Sequence, residues 1–258
     1  MKAHVLSLLF FAACGDAAVT PSIALVHGAW ETSTVWDPVA TQLTADGYQV
    51  VAIDLPGRPG NPLAPADATL AGYADAVEAR LATLPKPVVL VGHSFGGITI
   101  STVAQARPDD IQTLVYVAAY IPRDGMSLLQ LAQADLTSAI GPHLQVDLAA
   151  GTATIDPSAS GAVFANDGTP AQQAAVAAAL VPEPVGPLMT PVAVSASFAS
   201  VDKVYIKTLR DQAVTPAAQA AMIGTTEVRA SFKLDTGHAP FATDPGGLAA
   251  AIEQAIER

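Results

Sequence analysis

Six short runs rich in valine and isoleucine recur along the chain, with helix-like segments between them. The runs are "IALVHG" (23–28), "YQVVAIDL" (48–55), "PVVLVGH" (87–93), "TLVYVAAY" (113–120), "KVYIKTL" (203–209) and "EVRASFKLD" (227–235). Most are continuously apolar rather than alternating, the pattern of strands covered on both faces. Between the second and third runs, Leu70, Tyr73, Ala74, Val77, Leu81 and Leu84 follow the i, i+3, i+4, i+7 spacing of an amphipathic helix. The closing segment "DPGGLAAAIEQAIER" opens with Asp244 as N-cap and Pro245 at the first helical position. It then sets Leu248, Ile252 and Ile256 on one face. Six strands joined by helical crossovers predict a doubly wound, mostly parallel α/β sheet. Hydrophobic residues make up 51% of the 258 positions and charged residues 14%, enough apolar material for one domain of this kind.

One interval breaks the alternation. From about 122 to 200 the sequence holds many Ala, Pro and Gly residues and helical pieces such as "AQQAAVAAAL" (171–180), with no strong strand. An insertion there lies above the C-terminal edge of the sheet, where α/β sites form, and is expected to be a helical lid. Residues 1–22 read as a leader and short tether before the main domain at 23–258. Lys2 precedes an apolar run of nine, Val5 to Ala13, which is too short to span a bilayer and suits a signal-peptide core. The run ends in "FAAC", which resembles a bacterial lipobox and marks Cys14 as a lipidation candidate. The expectation is an exported protein, periplasmic or anchored to the membrane through Cys14; the alternative is a cytoplasmic protein with an unprocessed tail. Cys14 is the single cysteine, so no intrachain disulfide forms. The net charge of −11 argues against a nucleic-acid partner, which would require a basic face.

The third run ends in Gly92-His93-Ser94-Phe95-Gly96. A serine hydroxyl becomes a nucleophile only when a base takes its proton, and it must protrude from the backbone. A sharp strand-to-helix turn provides the protrusion and crowds the positions two before and two after the serine. Gly92 and Gly96 meet that demand, so the stretch reads as a nucleophile elbow. Neither a G-x-G-x-x-G fingerprint nor a P-loop lysine is present to suggest phosphate binding. Of the five histidines, His4 lies in the leader, His27 reads as structural, and His93 adjoins the serine. His143 falls in the irregular insert, whereas His238 follows the last strand in "LDTGHAPF" and is the better base. Asp211, just past the fifth run, and Asp124, past the fourth, both qualify as the acid that orients it. Asp54 reads as a structural turn residue. Backbone N–H groups of Phe95 and of Ala29 in "LVHGAW" are the expected oxyanion donors, with Gly28 letting the chain turn closely.

These stretches resemble the α/β-hydrolase superfamily, and more narrowly the group of plant methylesterases and hydroxynitrile lyases. The similarity rests on "LVHGAW", "VVAIDLPG", "VLVGHSFGG", "YVAAYIP", "VPEPVGPLMTPV", "VYIKTLRDQAVTPAAQAAM" and "DTGHAPFATDP", covering nearly all of the chain from Ile23. The resemblance implies a triad of Ser94, Asp211 and His238, preferring Asp211 to Asp124, with Ala29 and Phe95 as oxyanion donors. It also implies no metal and no organic cofactor, and a small-molecule ester as substrate. Two features depart from the group. The lyases carry a lysine directly after the triad histidine, where this chain has Ala239, and the plant esterases lack a leader like residues 1–14. The expected activity is therefore hydrolysis of small carboxylic esters through an acyl-enzyme. The alternatives are a carbon–carbon or cyanohydrin lyase, or a non-catalytic ligand binder on the same scaffold. An apolar acyl pocket is read from "VFA" (163–165) and "PLM" (187–189), while oligomeric state leaves no mark in the sequence.

Overall fold

The computed structural model describes residues 20–257; His4, Cys14 and the rest of the leader before residue 20 lie outside them. Along the chain run strands β1 (Ser22–Val26), β2 (Gln49–Ile53), β3 (Val88–His93) and β4 (Ile111–Val117). The insert then contributes β5 (Leu144–Asp147), β6 (Thr152–Ile155) and β7 (Glu183–Pro184), before β8 (Asp202–Thr208) and β9 (Ala230–Leu234). Six strands form one parallel sheet in the order β2-β1-β3-β4-β8-β9, as the apolar runs predict. The central strands β1 and β3 are buried at every position, whereas the edge strands β2 and β9 are partly exposed.

Side chains alternate between two layers, because successive residues of a strand point to opposite faces. Ile23, Leu25, Val89 and Val91 face a core completed by Trp36, Val39 and Leu43 near and within the helix Asp37–Ala45, and by Leu248 and Ile252 of the helix Pro245–Ile256. Ala24, Val26, Leu90 and Leu114 face the opposite core, with Tyr73 and Val77 of the helix Leu70–Leu81 and Ile98 of the helix Gly96–Ala106. The last helix begins as its sequence predicts: the Asp244 side chain accepts the Gly247 N–H at 3.0 Å, and Pro245 stands at the first position. All six parallel strands end at the same edge, and the loops following β1, β3, β8 and β9 carry the residues singled out above.

The insert differs from the expected all-helical lid. Besides the helices Leu128–Gln133, Pro157–Phe164 and Pro170–Ala179, it contains an antiparallel sheet of β5, β6 and β7. These strands are four, four and two residues long, too short to show a period of two against an alanine-rich background.

Glu183, in β7, makes a fully buried polar contact between the insert and the sheet domain. Its carboxylate is fully buried, pairs with the buried Arg58 guanidinium, accepts the Tyr73 hydroxyl at 2.9 Å and accepts the Trp30 N–H at 2.9 Å. Burial opposes charge on Arg58, but Glu183 and Tyr73 outweigh it and hold the guanidinium above its ordinary range. Burial and the Glu183 charge push the Tyr73 hydroxyl up, so it remains a donor. Removing one member of a buried ion pair strands the other in a medium that cannot solvate it. Glu183→Ala is therefore expected to lower the unfolding free energy by about 3–5 kcal/mol, measured by urea denaturation. A loss below about 1 kcal/mol would mean that water reaches Arg58.

Candidate active site

Ser94 follows β3 directly and adopts φ 51°, a left-handed conformation that an L-residue keeps only where its surroundings enforce it. Three contacts hold it there: the Ser94 N–H donates to the Val117 carbonyl at 3.1 Å, and the Ser94 carbonyl accepts from Gly97 at 3.1 Å and Tyr120 at 3.0 Å. A Cβ on Gly92 would lie 2.7 Å from the Gly96 backbone, and one on Gly96 would lie 2.7 Å from the Val26 carbonyl oxygen. Both glycines are thus required by space, as the elbow predicts. Gly28 is required in the same way, since its Cβ would meet the Ser94 Cβ at 2.9 Å. Close approach, rather than an unusual backbone angle, explains that glycine.

One amide donor in the loop after β1 stands without a partner among the described residues. The Gly28 N–H donates to Glu31 Oε2 at 2.6 Å, and the Trp30 N–H is taken by Glu183. Among the described residues the Ala29 N–H between them has no hydrogen-bond partner, and neither has the Phe95 N–H beyond the serine. Two buried residues with unspent donors, on loops pressed together at Gly28, fit an oxyanion hole.

Asp211 and His238 meet across the ends of β8 and β9, with His238 Nδ1 donating to Asp211 Oδ2 at 2.8 Å. Both residues are buried. The same Asp211 oxygen accepts from the Thr208 hydroxyl at 2.8 Å and Gln219 Nε2 at 3.3 Å. The other accepts the Ala213 and Val214 N–H groups at 2.8 and 2.9 Å. Five donors fix the carboxylate, which in turn fixes the ring. With its proton on Nδ1, a neutral His238 keeps Nε2 as an acceptor. Ser94 and His238 occupy the same strand edge, joined through His93, whose ring centroid is 4.6 Å from that of His238. No direct hydrogen bond joins the Ser94 hydroxyl to the imidazole in this arrangement.

The remaining candidates lie elsewhere. Asp124 is exposed and accepts the Val194 N–H at 3.1 Å, within the insert, so it does not reach His238. Asp54 binds the Ser33 N–H at 2.7 Å as a turn residue. His143 is half-buried within the insert. Phe164 of "VFA" packs beside His238 at 5.7 Å between centroids, whereas Met189 of "PLM" is exposed. Glu31, Arg58 and Glu183 carry no motif that marks them in the sequence. The available signal was weak: a lone acid after "HGAW", an arginine in the turn "LPGRPG", and an acid between two prolines.

The insert reaches the same loops. The Val181 N–H donates to the Trp30 carbonyl at 2.8 Å, the Ala239 N–H to the Phe164 carbonyl at 2.9 Å, and the Ala139 N–H to the Gln212 carbonyl at 2.8 Å. His27 supports the floor beneath them: its Nδ1 donates to the Gly28 carbonyl at 2.8 Å and its Nε2 accepts the Leu55 N–H at 3.2 Å. Burial, aided by the Arg58 charge, lowers the His27 pKa to about 4.

A group that stays neutral in the fold but takes a proton in the unfolded chain below about pH 6.5 destabilises the fold as the pH falls. The stability advantage of wild type over His27→Gln is expected to shrink by about 2–3 kcal/mol between pH 7 and pH 4.5. The check is a pair of urea titrations at each pH. A constant difference would show that His27 titrates alike in both states.

Comparison with known proteins places this geometry. The model of the alpha/beta hydrolase family matches residues 23–251. The chain is similar to putative methylesterase 11, chloroplastic, of Arabidopsis thaliana, with 29% identity over 253 residues, covering 90% of this chain and 63% of that protein. It is also similar to putative methylesterase 13, chloroplastic, of the same plant, with 30% identity over 247 residues, covering 90% of this chain and 55% of that protein. The chain thus spans between 55% and 63% of the length of these two relatives. Among solved structures, a pyrethroid hydrolase from Sphingobium faniae JZ-2 matches with a TM-score of 0.79 at 26% identity, covering 93% of this chain and 98% of that one. By its strand order, its elbow and this match over most of its length, the chain belongs to the alpha/beta hydrolase family.

Proposed function

We propose that the protein is a serine hydrolase of small carboxylic esters. The observation that carries the reading is the pair of unpartnered amides, Ala29 and Phe95, flanking a left-handed serine at the strand edge that also bears the His238–Asp211 hydrogen bond. Ser94 Oγ attacks the ester carbonyl carbon while His238 Nε2 takes the hydroxyl proton. The carbonyl oxygen becomes an oxyanion facing the Ala29 and Phe95 N–H groups. Asp211 holds the imidazole in the productive tautomer and stabilises the imidazolium. The alcohol leaves with that proton. Water then attacks the acyl-enzyme, passes a proton to His238, and frees the acid and Ser94. The names of the similar proteins, methylesterase and pyrethroid hydrolase, support an ester as the substrate class. With Ser94 and His238 only 6% and 1% exposed, the insert acts as a lid that must open for substrate to enter.

The test is labelling by a fluorophosphonate probe together with hydrolysis of p-nitrophenyl esters of increasing acyl length. Ser94→Ala is expected to abolish labelling, and Ser94→Ala and Asp211→Asn each to lower kcat by roughly 10⁴-fold. Asp124→Asn is expected to stay near wild type. Turnover by Ser94→Ala near the wild-type rate would remove the nucleophile assignment. The same preparations are expected to release no cyanide from mandelonitrile above background, because Ala239 offers no cation to the departing anion. Export with acylation at Cys14 belongs to the same proposal. Intact mass of the protein from a lipoprotein-processing bacterium would show a lipid-bearing N-terminal Cys14, and an unmodified chain beginning at Met1 would refute it.

A further inference from the structure

We propose that the buried pair Glu31 and His93 positions the oxyanion loop and the catalytic base relative to each other. The inference rests on the hydrolase reading above and deepens it. Glu31 Oε2 accepts two hydrogen bonds, from the Gly28 N–H at 2.6 Å and from His93 Nδ1 at 3.0 Å. The other nitrogen of His93, Nε2, donates to the backbone carbonyl of His238 at 2.8 Å. One carboxylate oxygen and one imidazole thereby join three loops: the one bearing the Ala29 amide, the elbow bearing Ser94, and the one bearing the base.

The chemistry of the acceptors settles the protonation of the pair. The His238 carbonyl can only accept, so Nε2 carries a hydrogen. Glu31 Oε2 already receives an amide hydrogen from Gly28, so Nδ1 must donate as well, and the ring is an imidazolium facing a carboxylate. Burial works against charge on both groups. On His93 the charge and hydrogen bond of Glu31, the His238 carbonyl and Asp211 together outweigh it and raise the pKa. On Glu31 the charge and hydrogen bond of His93, the Gly28 amide and His238 outweigh it and lower the pKa. His93 is not available as a base, because both nitrogens are spent. Trp36 and Phe241 meet its ring edge-on at 6.4 and 5.1 Å, which leaves it no other rotamer to occupy without repacking.

An apolar pair of equal volume often replaces a buried ion pair at no cost to stability. Here it would leave the Gly28 N–H and the His238 carbonyl orphaned on the two loops whose relative placement the reaction depends on. A Cβ on Gly28 would fall 2.9 Å from Ser94 Cβ, 3.0 Å from Glu31 Oε2 and 3.0 Å from His93 Nδ1, so the three parts touch with no room for a methyl group. Displacing reacting groups by about 1 Å can cost on the order of 10²-fold in rate.

Glu31→Gln tests this. Its amide oxygen can still accept from Gly28, but without the carboxylate charge His93 becomes neutral and keeps its one ring hydrogen on Nε2 for the His238 carbonyl. The single oxygen that joins the Gly28 N–H to His93 Nδ1 can then no longer serve both, so the link to His93 breaks or shifts to the amide nitrogen of the new side chain, displacing the loops. The measurements are kcat and KM for a p-nitrophenyl ester, and the inhibition constant of an alkylboronic acid that forms a tetrahedral adduct on Ser94. Near-ultraviolet circular dichroism verifies the fold. The expected result is a fall in kcat of about 10- to 100-fold with KM within about twofold, and boronate affinity reduced in proportion to kcat/KM. Should Glu31→Gln fail to fold, Glu31→Asp keeps the charge but withdraws it by one methylene. It is expected to lower kcat with KM preserved. A folded Glu31→Gln, or in its absence Glu31→Asp, with wild-type kcat would overturn the proposal, as would a change confined to KM. If wild type is labelled and Ser94→Ala is inert while the Glu31 variants match wild type, the hydrolase reading stands and this inference falls. An inert wild type overturns both.

Discussion

Everything at the site depends on how closely the turn after β3 presses against the end of β1. Where Gly96 lacks a side chain, the Val26 carbonyl oxygen stands 2.7 Å from the position a Cβ would take. No other residue tolerates that approach, and the approach does two things at once. It forces the chain to reverse within a few residues, which drives Ser94 into its left-handed conformation and lifts it off the sheet. It also sets Phe95 beside the loop containing Ala29, so that two amides without partners come to one place. Backbone strain at Ser94 is offset locally by the hydrogen bonds to Val117, the last residue of β4, and to Tyr120 just beyond it. The pairing of β3 with β4 is therefore part of the site as well as part of the sheet.

A second constraint comes from the insert. Its contacts with the strand-end loops are mostly hydrogen bonds to backbone groups that would otherwise be buried and unpaired: Trp30 on both its N–H and its carbonyl, Ala239 on its N–H, Gln212 on its carbonyl. Such groups are costly to strand, about 1–3 kcal/mol each. Swinging the whole insert away would strand several together with the Arg58–Glu183 pair. The helix Pro170–Ala179 has no buried residue, yet it too is tied to the segment after β9, Gln172 Nε2 donating to the Ala242 carbonyl at 2.8 Å. The insert and the loop after β1 are in this way mechanically linked, because Glu183 holds the amide next to Ala29.

Three non-glycine residues among those described take positive φ: Trp30 at 61°, Ser94 at 51° and Ala118 at 46°. Each lies just beyond a parallel strand at the same edge of the sheet. Their clustering is what a site built from strand-end turns requires, since each turn must redirect the chain sharply while still presenting a particular group. The Ala118 N–H pairs with the Ile206 carbonyl, so the bend after β4 is stitched to β8, the strand that leads to Asp211.

The doubly wound sheet, the last helix with its Asp244 cap and the sharp turn with its two glycines around Ser94 were all legible in the chain. Each is a local matter: a run of apolar residues, a cap three positions from its amide, a spacing of two around a serine. The residues alone left Asp211 and Asp124 equal, for both follow strands; only the course of each loop after its strand sends one to His238 and the other to Val194. The short strands of the insert, the Glu183 cluster and the Glu31–His93 pair were not legible. The insert strands are too short to show a period, while His93 and Glu31 lie 62 residues apart and Trp30 and Glu183 lie 153 apart, separations that no period or motif records. Local sequence determined which elements form and where a serine would be raised. Tertiary structure decided which buried charges meet, because that depends on volume left between elements already packed.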